Sequence, residues 1–216
     1  MLIRDYMTPN PVTVSPDTSV PDALRIMREK SFRRLPVLDE KGELVGIVTE
    51  KDLLHSLPSP ATTLAVWEIP EILSRLKIGS VMTAHVVTIS EDVPVEEAAR
   101  IMADRQIGAL PVMKNNMLTG IITESDIFKV LLEMTGGRRP GVRVTVAVPG
   151  VKGTFARVLG TVTSAGGDIV GVGIAEVKGS SGTKWEITIK AQDVPLDQLV
   201  EALQPAVDKI LDARVM

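Results

Sequence analysis

Gly46-Ile47-Val48-Thr49-Glu50-Lys51-Asp52 and Gly120-Ile121-Ile122-Thr123-Glu124-Ser125-Asp126 are two versions of one seven-residue phrase. Each carries an aliphatic pair between a glycine and a threonine, with an aspartate three positions after the threonine. Glycine admits the close approach of another backbone or of a ligand. A threonine that ends an aliphatic run is a natural helix N-cap, and an acidic residue in the first turn suits the helix dipole. The phrase therefore marks two strand-to-helix junctions. It also sets Thr and Asp on one side of the first turn, where an ionised carboxylate can accept both hydroxyl protons of a ribose diol. Capping alone accounts for one copy; two copies at matched positions point towards a ligand.

The chain repeats outward from these junctions. Ile3-Arg4-Asp5-Tyr6-Met7-Thr8 returns 75 residues later as Ile78-Gly79-Ser80-Val81-Met82-Thr83. Val12-Thr13-Val14-Ser15 returns as Val87-Thr88-Ile89-Ser90, and Leu35-Pro36-Val37 as Leu110-Pro111-Val112. In each copy a short extended piece, 12–14 or 87–89, precedes a helix with apolar residues at helical spacing. These are Val20, Ala23, Leu24, Met27 and Val95, Ala98, Ala99, Met102. Two aliphatic strands follow, with turn-compatible Lys41-Gly42 or Asn115-Asn116 between them. The duplication predicts domains over 1–57 and 78–135. Pro58-Ser59-Pro60 opens a linker over 58–77, where Ile69, Ile72, Leu73 and Leu76 form the stripe of a helix anchored by Trp67.

Gly136-Gly137-Arg138-Arg139-Pro140-Gly141 reads as a hinge over 136–141, and the pattern changes beyond it. Val142, Val144, Val146 and Val148 alternate with polar residues as in a strand. Phe155, Val158, Leu159 and Val162 then mark a helix stopped by Gly166-Gly167. A hairpin over 168–191 follows, then a helix with Leu196, Leu199, Val200 and Leu203, and a last strand near 209–215. The order βαββαβ over 142–216 is the ferredoxin-like arrangement. The expected fold class is α/β (α+β): two pseudo-twofold-related domains plus this third module.

Composition narrows the chemistry. The 216 residues carry 24 Lys and Arg against 27 Asp and Glu, a net charge of −3, so no basic footprint speaks for nucleic acid. Three Phe, two Trp and one Tyr are too few for a base-stacking platform. The absence of cysteine removes disulfides, thiol catalysis and thiolate metal sites. His55 and His85 read as structural or solvent-facing, and no nucleophile–base or metal constellation is visible, so no enzyme is expected. Asp5 interrupts any signal-like start, and no run of 18 apolar residues occurs; a cytoplasmic protein without a membrane partner is expected.

These residues carry a family resemblance. Met7-Thr8 with Met82-Thr83, the two Leu-Pro-Val segments and the two glycine-to-aspartate phrases resemble a tandem pair of CBS domains, a Bateman module, over residues 1 to about 133. The resemblance implies an adenine nucleotide (AMP, ADP or ATP) or S-adenosylmethionine held in the clefts between repeats. By position it implies that Asp52 and Asp126 hold the ribose, with Thr49 and Thr123 beside sugar or phosphate. Thr13, Val14, Thr88 and Ile89 would meet the base through their backbone, and Gly46, Gly120, Pro36 and Pro111 complete the expected binding set. Arg34, with Arg33 and Lys51, would meet phosphate; a solvated face is the alternative for the arginines. Phe32-Arg33-Arg34 corresponds to Ile107-Gly108-Ala109 and Lys51 to Ser125, so the two sites are expected to be unequal.

The C-terminal module resembles an ACT domain in its βαββαβ order, in Gly153 before the first helix and in Asp168-Ile169 after it. That implies pairing into a homodimer and an amino acid as a second effector, although Val148-Pro149-Gly150-Val151-Lys152-Gly153 departs from the usual Asp-x-x-Gly loop. The CBS–CBS–ACT order resembles that of acetoin-utilisation proteins. Two functions remain open at this point: a nucleotide sensor, or a ligand-free dimerisation scaffold acting on a partner protein.

Overall fold

The computed structural model describes residues 1–57, 75–179 and 182–216. They form two compact units, Met1–Ile127 and Phe128–Met216. Trp67 and most of the expected linker helix lie outside the described residues.

The first unit begins with a helical turn, α1 (Ile3–Tyr6), and a short strand, β1 (Thr8–Pro9). Helix α2 (Val20–Lys30) starts where the Ser19 hydroxyl accepts from Asp22 N–H, and Pro21 suits its first turn. It buries Val20, Ala23, Leu24 and Met27. It ends at Ser31, whose φ of 56° is left-handed, and Phe32 N–H closes the turn onto Met27 O at 2.9 Å. Strands β2 (Arg34–Leu38) and β3 (Leu44–Thr49) form a hairpin, and α3 (Glu50–His55) follows.

The second repeat runs in parallel: β4 (Ile89–Ser90), α4 (Val95–Arg105), β5 (Ala109–Lys114), β6 (Met117–Thr123) and α5 (Glu124–Met134). Helix α4 also ends left-handed, at Gln106 with φ 55°. Both hairpins shift register at the same place, between Val37 and Leu38 and between Val112 and Met113. Glu91, buried beside β4, accepts from Lys114 Nζ, and this bond holds its carboxyl below the usual carboxylate range.

The repeats exchange their first residues. Ile3 N–H donates to Val93 O and Arg4 N–H to Glu91 O, both at 3.0 Å, so the start of the chain docks on the second repeat. Ile78 N–H donates to Thr18 O at 2.9 Å and Gly79 N–H to Pro16 O at 2.8 Å, which returns the exchange. Thr8 and Pro9 pair antiparallel with Ile121 and Gly120 on β6; Thr83 pairs likewise with Ile47 on β3. Ile78 is wholly buried in the first repeat's core, among Val20, Met27, Leu35, Val37 and Val48. Burying such a side chain contributes about 1.5–3 kcal/mol, so each repeat depends on the other for part of its core.

The second unit is a four-stranded antiparallel sheet in the order β10-β7-β9-β8, built from β7 (Val142–Pro149), β8 (Asp168–Gly179), β9 (Gly182–Gln192) and β10 (Lys209–Val215). Helices α6 (Thr154–Ser164) and α7 (Leu196–Leu203) complete the βαββαβ order. Their buried Val158, Val162, Leu199 and Leu203 pack with Val144, Val146, Val148, Ile187 and Ile189 of the sheet. The strict alternation of β7 is the reason: its valines fill one face and Arg143, Thr145 and Ala147 take the other.

Candidate functional site

The duplicated phrase folds into two matching helix starts. Thr49 N–H and Oγ1 donate to Asp52 Oδ2 at 2.9 and 2.7 Å, and Asp52 N–H donates back to Thr49 Oγ1 at 3.2 Å. Thr123 N–H and Oγ1 donate to Asp126 Oδ2 at 3.0 and 2.8 Å. The reciprocal bonds satisfy backbone donors that a helix N-terminus leaves open. Each helix start is also tied to the loop before its hairpin: Glu50 N–H reaches Arg33 O at 2.9 Å, and Glu124 N–H reaches Gly108 O at 3.2 Å.

A cleft of about 440 Å³ opens at the first of these junctions. One wall is Ile47, Thr49, Glu50 and Lys51 from β3 and α3, with Arg33 and Arg34 beside them. The other wall comes from the second repeat: Thr83, the segment His85–Val87, and Gln106–Ala109 at the end of α4. Strand exchange is what brings residue 83 to β3 and so places the two walls together. A more open hollow shares His85, Val86 and Val87 and adds Thr88 and Arg105. Arg33, Arg34 and Lys51 outnumber Glu50 and the neighbouring Glu124, so the first cleft presents net positive charge to an entering group. Arg34 reaches across the pseudo-twofold: its guanidinium lies 4.0 Å from Glu124, in space left by Gly108.

Of the residues expected from sequence, Arg34 and Thr49 line this cleft and Thr88 lines the adjoining hollow. Asp52 is half-buried and Asp126 is only 6% exposed, each with one oxygen held by its threonine. Val14 N–H donates to Pro36 O and Val14 O accepts from Leu38 N–H, so its backbone is engaged with β2. Ile89 pairs in the same way with Val112 on β5, and Thr13 sits beside Val14 in the first repeat. Pro36 and Pro111 lie within the hairpins, opposite Ile47 and Ile121. Gly46 and Gly120 serve the fold: a Cβ on either would collide with Met82 or Met7 of the exchanged segment.

Thr83, His85, Gln106 and Ile107 also line the cleft and were not singled out as binding residues. The recurring Met-Thr pair was the available signal for Thr83. Nothing in the spacing marks Gln106, because its place follows from a left-handed helix end at a non-glycine residue. Among the described residues no group of three or more His, Asp or Glu is placed to hold a metal, and no helix is long and apolar enough to cross a membrane.

A duplicated hairpin-and-helix module with exchanged leading segments, and a cleft lined by both copies, defines a paired-repeat type of domain. The CBS domain family matches residues 3–59 and 78–133, more than half of the sequence, and the chain belongs to that family. A CBS domain-containing protein of Dictyostelium discoideum is 35% identical over 135 residues, covering 62% of this chain and 93% of its own. The crystal structure of a Vibrio cholerae protein assigned to acetoin utilization, AcuB, is similar at 28% identity and a TM-score of 0.51, over 61% of this chain and 90% of that one. The CBS domain pair of protein MJ0100, crystallised with 5′-methylthioadenosine and S-adenosyl-L-methionine, is similar at 28% identity and a TM-score of 0.52, over 64% and 98%.

Proposed function

We propose that this chain is a non-catalytic sensor that binds an adenosine ligand in the cleft of its first unit. The observation that carries the reading is the cleft itself, in which Thr49 and three cations of the first repeat face backbone and side chains of the second. The solved CBS pair with two adenosine compounds supports the ligand class. Arg33, Arg34 and Lys51 favour a phosphate-bearing nucleotide, AMP, ADP or ATP, over S-adenosylmethionine, whose sulfonium brings its own positive charge. Ser125 and Gly108 stand where the second site would need Lys51 and Arg33, and Asp126 is more deeply buried than Asp52. One site is therefore stronger than the other. A ligand that grips both repeats would bias the angle between them.

In this reading the second unit is an ACT domain, supported by its βαββαβ topology, and it mediates homodimerisation or takes a second small effector. The Thr–Asp caps favour one competing function, a ligand-free dimerisation scaffold acting on a partner protein, because they occupy both residues without a ligand. Titration of AMP, ADP, ATP and S-adenosylmethionine into the full chain and an Asp52→Ala, Asp126→Ala variant separates the two. Binding that is lost in the variant while the oligomeric state is kept supports the sensor; no binding by the parent supports the scaffold.

A further inference from the structure

The sheet of the second unit has one face under its helices and one face without them. Lys190 stands in the middle of β9 on the helix-free face, since its neighbours Ile189 and Ala191 are buried in the helix-side core. It lies in register with Arg143 of β7 and Gly171 of β8. Only 4% of it is exposed. Arg143, which also lines the cavity over this face, pairs with Asp212 at 2.8 Å, and Arg214 shares that carboxylate. Lys190, by contrast, has no hydrogen bond or ion pair among the described residues.

A cavity of about 450 Å³ opens over Lys190. Its shape follows from two glycines. A Cβ on Gly171 would lie 2.6 Å from Gly136 N, because the chain at 135–136 passes tightly over β8 and closes one end. A Cβ on Gly173 would meet nothing within 4 Å, so the hollow continues there as open space. Thr188 forms part of the floor, its hydroxyl joined to that of Thr145 at 2.9 Å. Glu186, four residues before Lys190 on the same strand, lines the far part.

Lys190 faces this cavity without a carboxylate partner, so an anion seated there gains a charge-assisted bond. We propose that this cavity binds a small monocarboxylate, its carboxylate on Lys190 Nζ and its short aliphatic chain over Gly171 and Gly173. Lys190, Arg143 and Arg214 set against Asp212 and Glu186 leave one positive charge, which matches one negative charge and favours a monoanion over phosphate. The size lies within the range of small-molecule sites. The cavity does not include the 150–153 loop and is separate from the cleft of the first unit.

The test is calorimetric titration of the full chain with sodium butyrate and, separately, with inorganic phosphate at neutral pH. Butyrate is expected to bind saturably at one site per chain, and phosphate not to bind there. Lys190→Met keeps the side chain's length and removes its charge; it should weaken butyrate at least about tenfold, the loss of a charge-assisted bond, while the circular dichroism spectrum is retained. Gly173→Val sets its Cβ in open space and its methyl groups into the hollow, and should abolish butyrate binding with Lys190 intact. The proposal is overturned if butyrate shows no saturable binding, if phosphate binds in its place, or if folded Lys190→Met or Gly173→Val binds butyrate as the parent does.

Discussion

Gly46→Ala tests the interlock that joins the repeats. The added methyl would lie 3.0 Å from Met82 Cγ and closer still to Sδ, so Met82 must leave its seat on β3 or β3 must shift. Overpacking costs about 1–3 kcal/mol, and because the crowded atoms all belong to the flexible, half-buried Met82 side chain the lower end, about 1 kcal/mol, applies. In a unit of this size about 1 kcal/mol lowers the melting temperature by roughly 4 °C, between the values for smaller and larger domains. In a Met82→Ala background the obstruction is gone, and alanine in a strand is slightly better than glycine. The double-mutant cycle should therefore show a coupling of about 1 kcal/mol, with Gly46→Ala nearly neutral when Met82 is absent. Scanning calorimetry of the four proteins reads this from the transition of the first unit. If Gly46→Ala costs the same with and without Met82, to within about 0.5 kcal/mol, the exchanged segment is not what requires the glycine.

Other outcomes follow from single features. Gly160 lies inside α6 with nothing near its absent Cβ, so Gly160→Ala should stabilise the second unit by about 0.8–1 kcal/mol in chemical denaturation; a loss of stability would contradict that packing. Thr49→Ala removes a hydroxyl that both donates and accepts at the start of α3 and should cost about 1 kcal/mol, read as a lower melting temperature. Glu91 has a folded-state pKa held down chiefly by its bond to Lys114. Its stabilising contribution is therefore present above the ordinary carboxylate range and is lost as pH falls through the lowered value. Stability measured from pH 7 down to pH 3 should fall less steeply for Glu91→Gln than for the parent below about pH 4.5, and parallel curves would remove Glu91 from the account.

Much of the first unit was legible because duplication checks itself. Helical spacing at Val20, Ala23, Leu24 and Met27, repeated at Val95, Ala98 and Met102, is buried as the periodicity required, whereas Ala99, expected on the same stripe, is only half-buried. The capping of Asp52 by Thr49 was legible for the same local reason. The exchange of leading segments was not, since periodicity shows that Ile3 and Ile78 are equivalent but not which core each enters. The cleft depends on that exchange, so Thr83 and His85 stayed hidden while Thr49 and Arg34 did not, and Gln106 stayed hidden because its place follows from a left-handed helix end. In the second unit, alternation in β7 assigned the buried valines. Lys190 escaped notice because an alternating strand gives every polar residue on its outer face the same appearance. Its burial comes from a loop passing over glycine, a tertiary event without a local signal.

The central claim is that the cleft between Thr49, Lys51 and the 83–87 segment holds an adenosine nucleotide. Titration of AMP, ADP, ATP and S-adenosylmethionine into the full chain and into a Lys51→Ala variant tests it most directly. The account predicts saturable binding with a phosphate-bearing nucleotide preferred, weakened about tenfold by loss of one charge-assisted contact, and a first-unit melting transition raised by about 2.7 kcal/mol equivalent at a hundredfold excess over Kd. Heat and melting curves unchanged by all four compounds, or an affinity indifferent to Lys51, would contradict it.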